Sequence, residues 1–109
     1  IGDGANILDG VKISNSVKIG IAPIIYYNSI IAHDCLIGDY VEISPGATLL
    51  GRAEVGNNVQ VGAGSIILPD LKVGSNTIIG AGSVVTKSIP DNCTVVGVPA
   101  KIIKSSKLS

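Results

Sequence analysis

Ile31-Ala32-His33-Asp34-Cys35-Leu36-Ile37-Gly38-Asp39-Tyr40-Val41-Glu42-Ile43-Ser44-Pro45-Gly46-Ala47-Thr48-Leu49 contains three copies of a six-residue unit, each opening on a large aliphatic residue. The phase holds in both directions without an insertion. Ile1, Ile7, Ile13, Ile19, Ile25, Ile31, Ile37, Ile43, Leu49, Val55, Val61, Ile67, Val73, Ile79 and Val85 make fifteen consecutive repeats. A period of six fits neither a helix at 3.6 residues per turn nor a simple strand at 2. It marks a solenoid in which each hexad forms one side of a triangular coil.

The fifth residue of each unit is a second small or aliphatic position, running Ala5, Val11, Val17, Pro23, Ser29, Cys35, Val41, Ala47, Ala53, Val59, Ser65, Leu71, Thr77, Ser83 and Ile89. Both series are expected to point inward. The fourth residue is Gly, Asn or Asp in ten of the fifteen units. Those types tolerate left-handed backbone, which places the corners at the third and fourth positions. Gly2, Gly20, Gly38, Gly56 and Gly74 recur every eighteen residues, so three hexads close one coil. The expected fold is all-β, a parallel β-helix of five triangular coils over residues 1–90. Residues 91–109, which leave the phase, are expected to add a turn, a strand and a short helix as a C-terminal cap of the same domain. Nothing comparable caps the first coil.

The remaining composition narrows the function by exclusion. Eight basic and eight acidic residues cancel, which gives no electrostatic case for nucleic acid or an anionic membrane surface. Cys35 and Cys93 match no zinc or redox spacing, and these residues contain neither a signal-peptide pattern nor a long apolar run. A cytoplasmic protein with reduced thiols and no metal is expected. The chain opens on Ile1, already in phase and without Met, so a longer parent chain is also expected.

Coils that stack in register place residues eighteen apart above one another. One corner column then reads Asn15-Ser16, His33-Asp34, Gly51-Arg52, Pro69-Asp70, Lys87-Ser88. A second reads Asp9-Gly10, Tyr27-Asn28, Pro45-Gly46, Ala63-Gly64, Ala81-Gly82, and loses its side chains from Gly46 upward, leaving room for a ligand against the backbone. The only histidine, His33, projects from a corner, where it is either a solvated surface residue or a base. Asp34 is placed to accept a hydrogen bond from one ring nitrogen, and an imidazole held in that way is the usual general base near neutral pH. The fourth position also favours Asp for its backbone alone. Arg52, one coil above, is expected to pair with Asp34, and Gly51 to leave space above His33 for a second reactant, unless it is only a turn glycine. Cys35 occupies an inward position and reads as core rather than nucleophile.

The run Ile31-Ala32-His33-Asp34-Cys35-Leu36-Ile37-Gly38-Asp39-Tyr40, the following Ile43-Ser44-Pro45-Gly46-Ala47-Thr48-Leu49, and the terminal Gly97-Val98-Pro99-Ala100-Lys101 resemble the hexapeptide-repeat acyltransferases. Within these the similarity is to the sialic-acid O-acetyltransferase group, which includes N-acetyltransferases of nucleotide-linked amino-sugars. It covers about residues 20–104. The resemblance implies left-handed coiling, a homotrimer, acetyl-CoA in the groove between subunits and a sugar or sugar-nucleotide acceptor. His33 matches the catalytic base and Asp34 the carboxylate that tunes it, while Gly51, Ala63 and Ala81 match contacts to acetyl-CoA. Lys101 and Lys104 are placed to meet its phosphates. Glu42 stands where many members carry a second His close to the thioester, and an anionic side chain cannot donate there. An N-terminal nucleotide-binding domain, usual in the group, is not in this sequence.

Other uses of such a solenoid fit less well. A carbonic anhydrase of this shape needs three zinc-binding histidines, and an ice-binding face needs a column of Thr, whereas Thr48, Thr77, Thr86 and Thr94 share none. A non-catalytic trimerisation or scaffold module is the rival that Glu42 favours. Another small-molecule hexapeptide O-acetyltransferase is the alternative within enzymes.

Overall fold

The computed structural model describes residues 2–105; Ile1 and the last four residues of the expected cap lie outside the described residues. Two-residue strands recur every six residues from Asn6–Ile7 to Val84–Val85, and each pairs in parallel with the strand eighteen residues away. Three sheets result. The first stacks Asn6–Ile7, Ile24–Ile25, Glu42–Ile43, Gln60–Val61 and Ile78–Ile79. The second contains Ile30–Ile31, Thr48–Leu49 and Ile66–Ile67, and the third contains Leu36–Ile37, Glu54–Val55 and Lys72–Val73. The chain is thus a parallel β-solenoid of about five turns, consistent with the left-handed hexapeptide β-helix expected.

The core consists mainly of the two series read from the sequence, with Cys93 and Val95 added at its upper end. Ile25, Ile31, Ile43, Leu49, Val61 and Ile67 are fully buried, and so are Ala47, Ala53 and Val59 from the fifth positions. Polar residues in the second series satisfy themselves against the backbone: the Ser65 hydroxyl donates to the Gly80 carbonyl at 2.8 Å and the Ser29 hydroxyl to the Ser44 carbonyl at 3.0 Å. Burial therefore costs these groups no unmet hydrogen bond. In the lowest coil Ile7, Val11, Ile13 and Val17 are only half-buried.

Every fourth position from Gly4 to Gly82 has positive φ, including Ala22, Tyr40 and Arg52, whose side chains make that conformation unfavourable. The coil geometry therefore imposes the corner, and local propensity follows where it can. Column glycines such as Gly38 serve a different need, since a Cβ there would lie 2.7 Å from the carbonyl carbon of Gly56 in the next coil.

The phase departs from expectation earlier than residue 91. Val73 bridges Ile89 and Ile78 pairs with Thr94, both sixteen residues apart, so the last coil is two residues short after Val85. Asn92 then resumes a left-handed corner, and Cys93–Val96 adds a further rung to the first sheet. The terminal helix expected here is not formed. Lys101–Ser105 is a strand, antiparallel to Cys93–Val96. The open edge left by Val95 and Val96 offers backbone partners, and the β-branched pair Ile102-Ile103 suits a strand better than a helix.

Candidate functional site

His33 and Asp34 form the corner between Ile30–Ile31 of the second sheet and Leu36–Ile37 of the third. The Asp34 amide donates to the Asn15 carbonyl below, and the His33 carbonyl accepts from the Arg52 amide above, which fixes the corner in the stack. Asp34 sits at φ +59°, a conformation Asp tolerates, and its carboxylate accepts from His33 Nδ1 at 2.9 Å. A carboxylate can only accept, so the proton of a neutral imidazole resides on Nδ1 and Nε2 carries the lone pair. Both side chains are about half exposed.

The residues of the next coil behave differently from the sequence expectation. Gly51 does not leave an empty space above His33, because the imidazole itself lies there: a Cβ on Gly51 would be 2.6 Å from Nε2. The glycine makes room for the base. Arg52 does not pair with Asp34. Its guanidinium forms a two-pronged contact with Asp70, one coil further on, with Nη2 donating to Oδ2 at 3.0 Å. The hydrogen bond from Arg52 holds the Asp70 carboxyl below the usual carboxylate range, and the same contact pushes the Arg52 guanidinium up. Cys35 is fully buried, its thiol donating to the Leu50 carbonyl at 3.2 Å, and burial pushes that thiol up. These surroundings are those of a core thiol rather than a nucleophile.

The second column, where the first sheet meets the second, is open. Ala63 and Ala81 are exposed, and a Cβ built on Gly46, Gly64 or Gly82 would meet nothing within 4 Å. The amides of Gly64 and Gly82 are spent on the coil below, whereas those of Ala63 and Ala81 donate to nothing among the described residues. Tyr27, half exposed, stands at the lower end of this smooth edge. Glu42 lies elsewhere, on the outer side of the first sheet, in a shallow depression of about 330 Å³ with Ile24, Tyr40 and Gln60. Lys101 and Lys104 are exposed on the terminal strand.

One chain therefore brings together His33, Asp34 and Gly51, and separately Ala63 and Ala81, on two different edges of the prism. Glu42 is on the face opposite the His33 edge. No group of three or more metal-ligating side chains exists among the described residues, and no helix there is long and apolar enough to cross a membrane, which says nothing of a β-barrel.

The repeat and its corners define a class. The model for bacterial transferase hexapeptide (six repeats) matches residues 16–51 and 52–87, and the chain belongs to this family. Among solved structures, the chain is similar to WeeI from Acinetobacter baumannii AYE, at 37% identity and a TM-score of 0.78 over 92% of this chain and 55% of that one. It is similar to PerB from Caulobacter crescentus, solved in complex with CoA and GDP-perosamine, at 31% identity and a TM-score of 0.78 over 93% and 55% of the two chains. The acetyltransferase domain of PglB from Neisseria gonorrhoeae FA1090 matches at 31% identity and a TM-score of 0.75, covering 91% of this chain and 57% of that one. The chain thus spans a little over half the length of these relatives. No curated protein matches it.

Proposed function

We propose that this chain is the catalytic solenoid of an acetyltransferase that moves acetyl from acetyl-CoA to an amine or hydroxyl of a sugar, nucleotide-linked or free. The observation that carries the reading is the 2.9 Å contact between His33 Nδ1 and the Asp34 carboxylate, and in the proposed mechanism Nε2 serves as the base. Nε2 takes the proton of the acceptor N–H or O–H as that atom attacks the thioester carbonyl carbon. The C–S bond then breaks, and the departing CoA sulfur takes the proton back from the imidazolium. Asp34 steadies the imidazolium, and the Gly51 amide, which donates to nothing among the described residues, is the donor assigned to the oxyanion.

A trimer makes one site of the two separated edges. The second sheet lies between the His33 edge and the Ala63–Ala81 edge, and its outer side carries Ile30, Leu50, Ile66, Leu68 and Val84. The outer side of the third sheet carries Lys18, Leu36, Glu54 and Lys72 instead. Turning the apolar side of three copies toward a threefold axis sets the His33 edge of each against the Ala63–Ala81 edge of the next, and the ring closes by a head-to-tail contact. Acetyl-CoA then lies along the open column, meeting the free amides of Ala63 and Ala81, with Lys101 and Lys104 near its phosphates. Glu42, on the face beyond that edge, enters the same groove. The kinship to solenoids whose structures hold CoA and a sugar nucleotide supports the substrate class. The two unpaired thiols accord with a cytoplasmic setting.

Purified His33→Ala protein tests the assignment. Turnover of acetyl-CoA with an amino-sugar acceptor is expected to fall about 10²- to 10⁴-fold with the fold intact. An unchanged rate would sink it.

A further inference from the structure

Arg52 faces a choice that its neighbours settle. It lies one coil above Asp34 and one coil below Asp70 in a column with a uniform step of about 4.8 Å, so the backbones of the two aspartates are equally spaced from its own. Its guanidinium takes Asp70 alone, through both Nε and Nη2. Asp34 is bonded to His33 Nδ1. Asp70 follows Pro69, a residue without an amide proton, and its carboxylate has no other side-chain partner among the described residues. The charges on this edge therefore run Asp34, Arg52, Asp70, and besides His33 no other ionisable side chain belongs to that column in the coils that keep register below Val85.

We propose that Asp70 is a positioning residue for the base: its two-pronged hold on Arg52 keeps the guanidinium off Asp34, and so reserves the Asp34 carboxylate for His33 Nδ1. With Asp70 neutral, Arg52 turns to Asp34, the carboxylate one coil below it in the same column. Asp34 then shares its lone pairs with a guanidinium, whose five donors and fixed charge compete well against one imidazole N–H. The imidazole loses the partner that holds its proton on Nδ1, and the proton moves to Nε2, the nitrogen that must be free to act as base. Catalysis fails through the tautomer, with the fold untouched, because Asp70 is exposed and Asn tolerates its left-handed corner at φ +64°. The effect on turnover rests on the acetyltransferase reading; the effect on the tautomer does not.

His33 is the sole histidine, so a single pair of ring nitrogens reports the tautomer by ¹⁵N NMR. The parent, Asp70→Asn and the double variant Arg52→Asn/Asp70→Asn are compared at a pH where the ring is neutral, with circular dichroism confirming the fold. The parent is expected to carry its proton mainly on Nδ1, Asp70→Asn mainly on Nε2, and the double variant to return to Nδ1 because the competing guanidinium is gone. In the acetyl-transfer assay kcat is expected to fall about tenfold in Asp70→Asn with KM little changed, and to recover in the double variant. A folded Asp70→Asn protein that keeps the parent tautomer overturns the proposal, and so does a double variant that stays on Nε2. A parent that shows the expected tautomer pattern but transfers no acetyl group refutes the catalytic reading and leaves this one standing.

Discussion

Gly51→Ala isolates the relation between the base and the coil above it. Gly51 lacks the positive φ of the neighbouring corner residue Arg52, so an alanine suits its backbone, and the lower chain entropy of the unfolded state favours a small gain in stability, about 0.4–1 kcal/mol. The new methyl would sit 2.6 Å from Nε2 and 2.8 Å from Cε1 of His33. Ordinary contacts between such atoms begin at 3.4 Å, so the ring has to move by about 0.8 Å or swing away from the stack. A displacement near 1 Å of a catalytic group costs about 10²-fold in rate. Single-turnover acetyl transfer and thermal unfolding on the same preparation read both effects. The expected pair is an unfolding temperature equal to or above the parent's and a rate lower by about 10²-fold. A rate within about threefold of the parent's would refute the idea that the imidazole works from its place over Gly51.

Two further outcomes follow from the core. Cys35 is buried and its thiol pushed up, so folded protein should react with Ellman's reagent at neutral pH only as fast as it unfolds. The sign for stability follows: a thiol raised in the folded state contributes its full stability below the ordinary thiol value of about 8.5 and loses it as the pH rises beyond, so Cys35→Ser should flatten the alkaline limb of a Tm-against-pH curve. Ile43, fully buried midway up the first sheet, should cost about 2–5 kcal/mol on truncation to Ala, read by chemical denaturation.

The coil was legible because its restraints are periodic. From Ile19 upward positions one and five of the hexads face the core, and one aliphatic series read from Ile7 to Val85 predicts the strand positions observed. Corners were legible from Gly, Asn and Asp, although Tyr40 and Arg52 show that a solenoid imposes the same backbone on residues that do not favour it. The end of the stack was not legible, since the coil loses two residues between Val85 and Ile89, where Thr86-Lys87-Ser88 offers no glycine or proline to mark the deletion. Lys101-Ile102-Ile103-Lys104 was open to a helical reading until the Val95–Val96 edge supplied a strand partner.

At the site, His33 and Asp34 were legible as neighbours on a corner, and the open Ala63 and Ala81 column followed from spacing alone. Two contacts were not. Arg52 is equidistant along the column from two acids, and only the prior bond between Asp34 and His33 decides between them. Gly51 reads as space for a reactant until the ring is seen to fill that space. Both are choices among side chains of one column, where a repeat gives position without conformation.

Calorimetric titration of acetyl-CoA into protein of known mass in solution, parent beside Ala81→Trp, tests the proposed groove between subunits most directly. Ala81 is exposed on the open column, so a Trp there fills the groove without entering the core. A trimer that binds one acetyl-CoA per subunit, with binding lost in the variant, is the expected result. A well-folded trimer that binds none would contradict the transferase reading, favour the scaffold module, and point to Glu42 as the residue that closes the groove to the thioester.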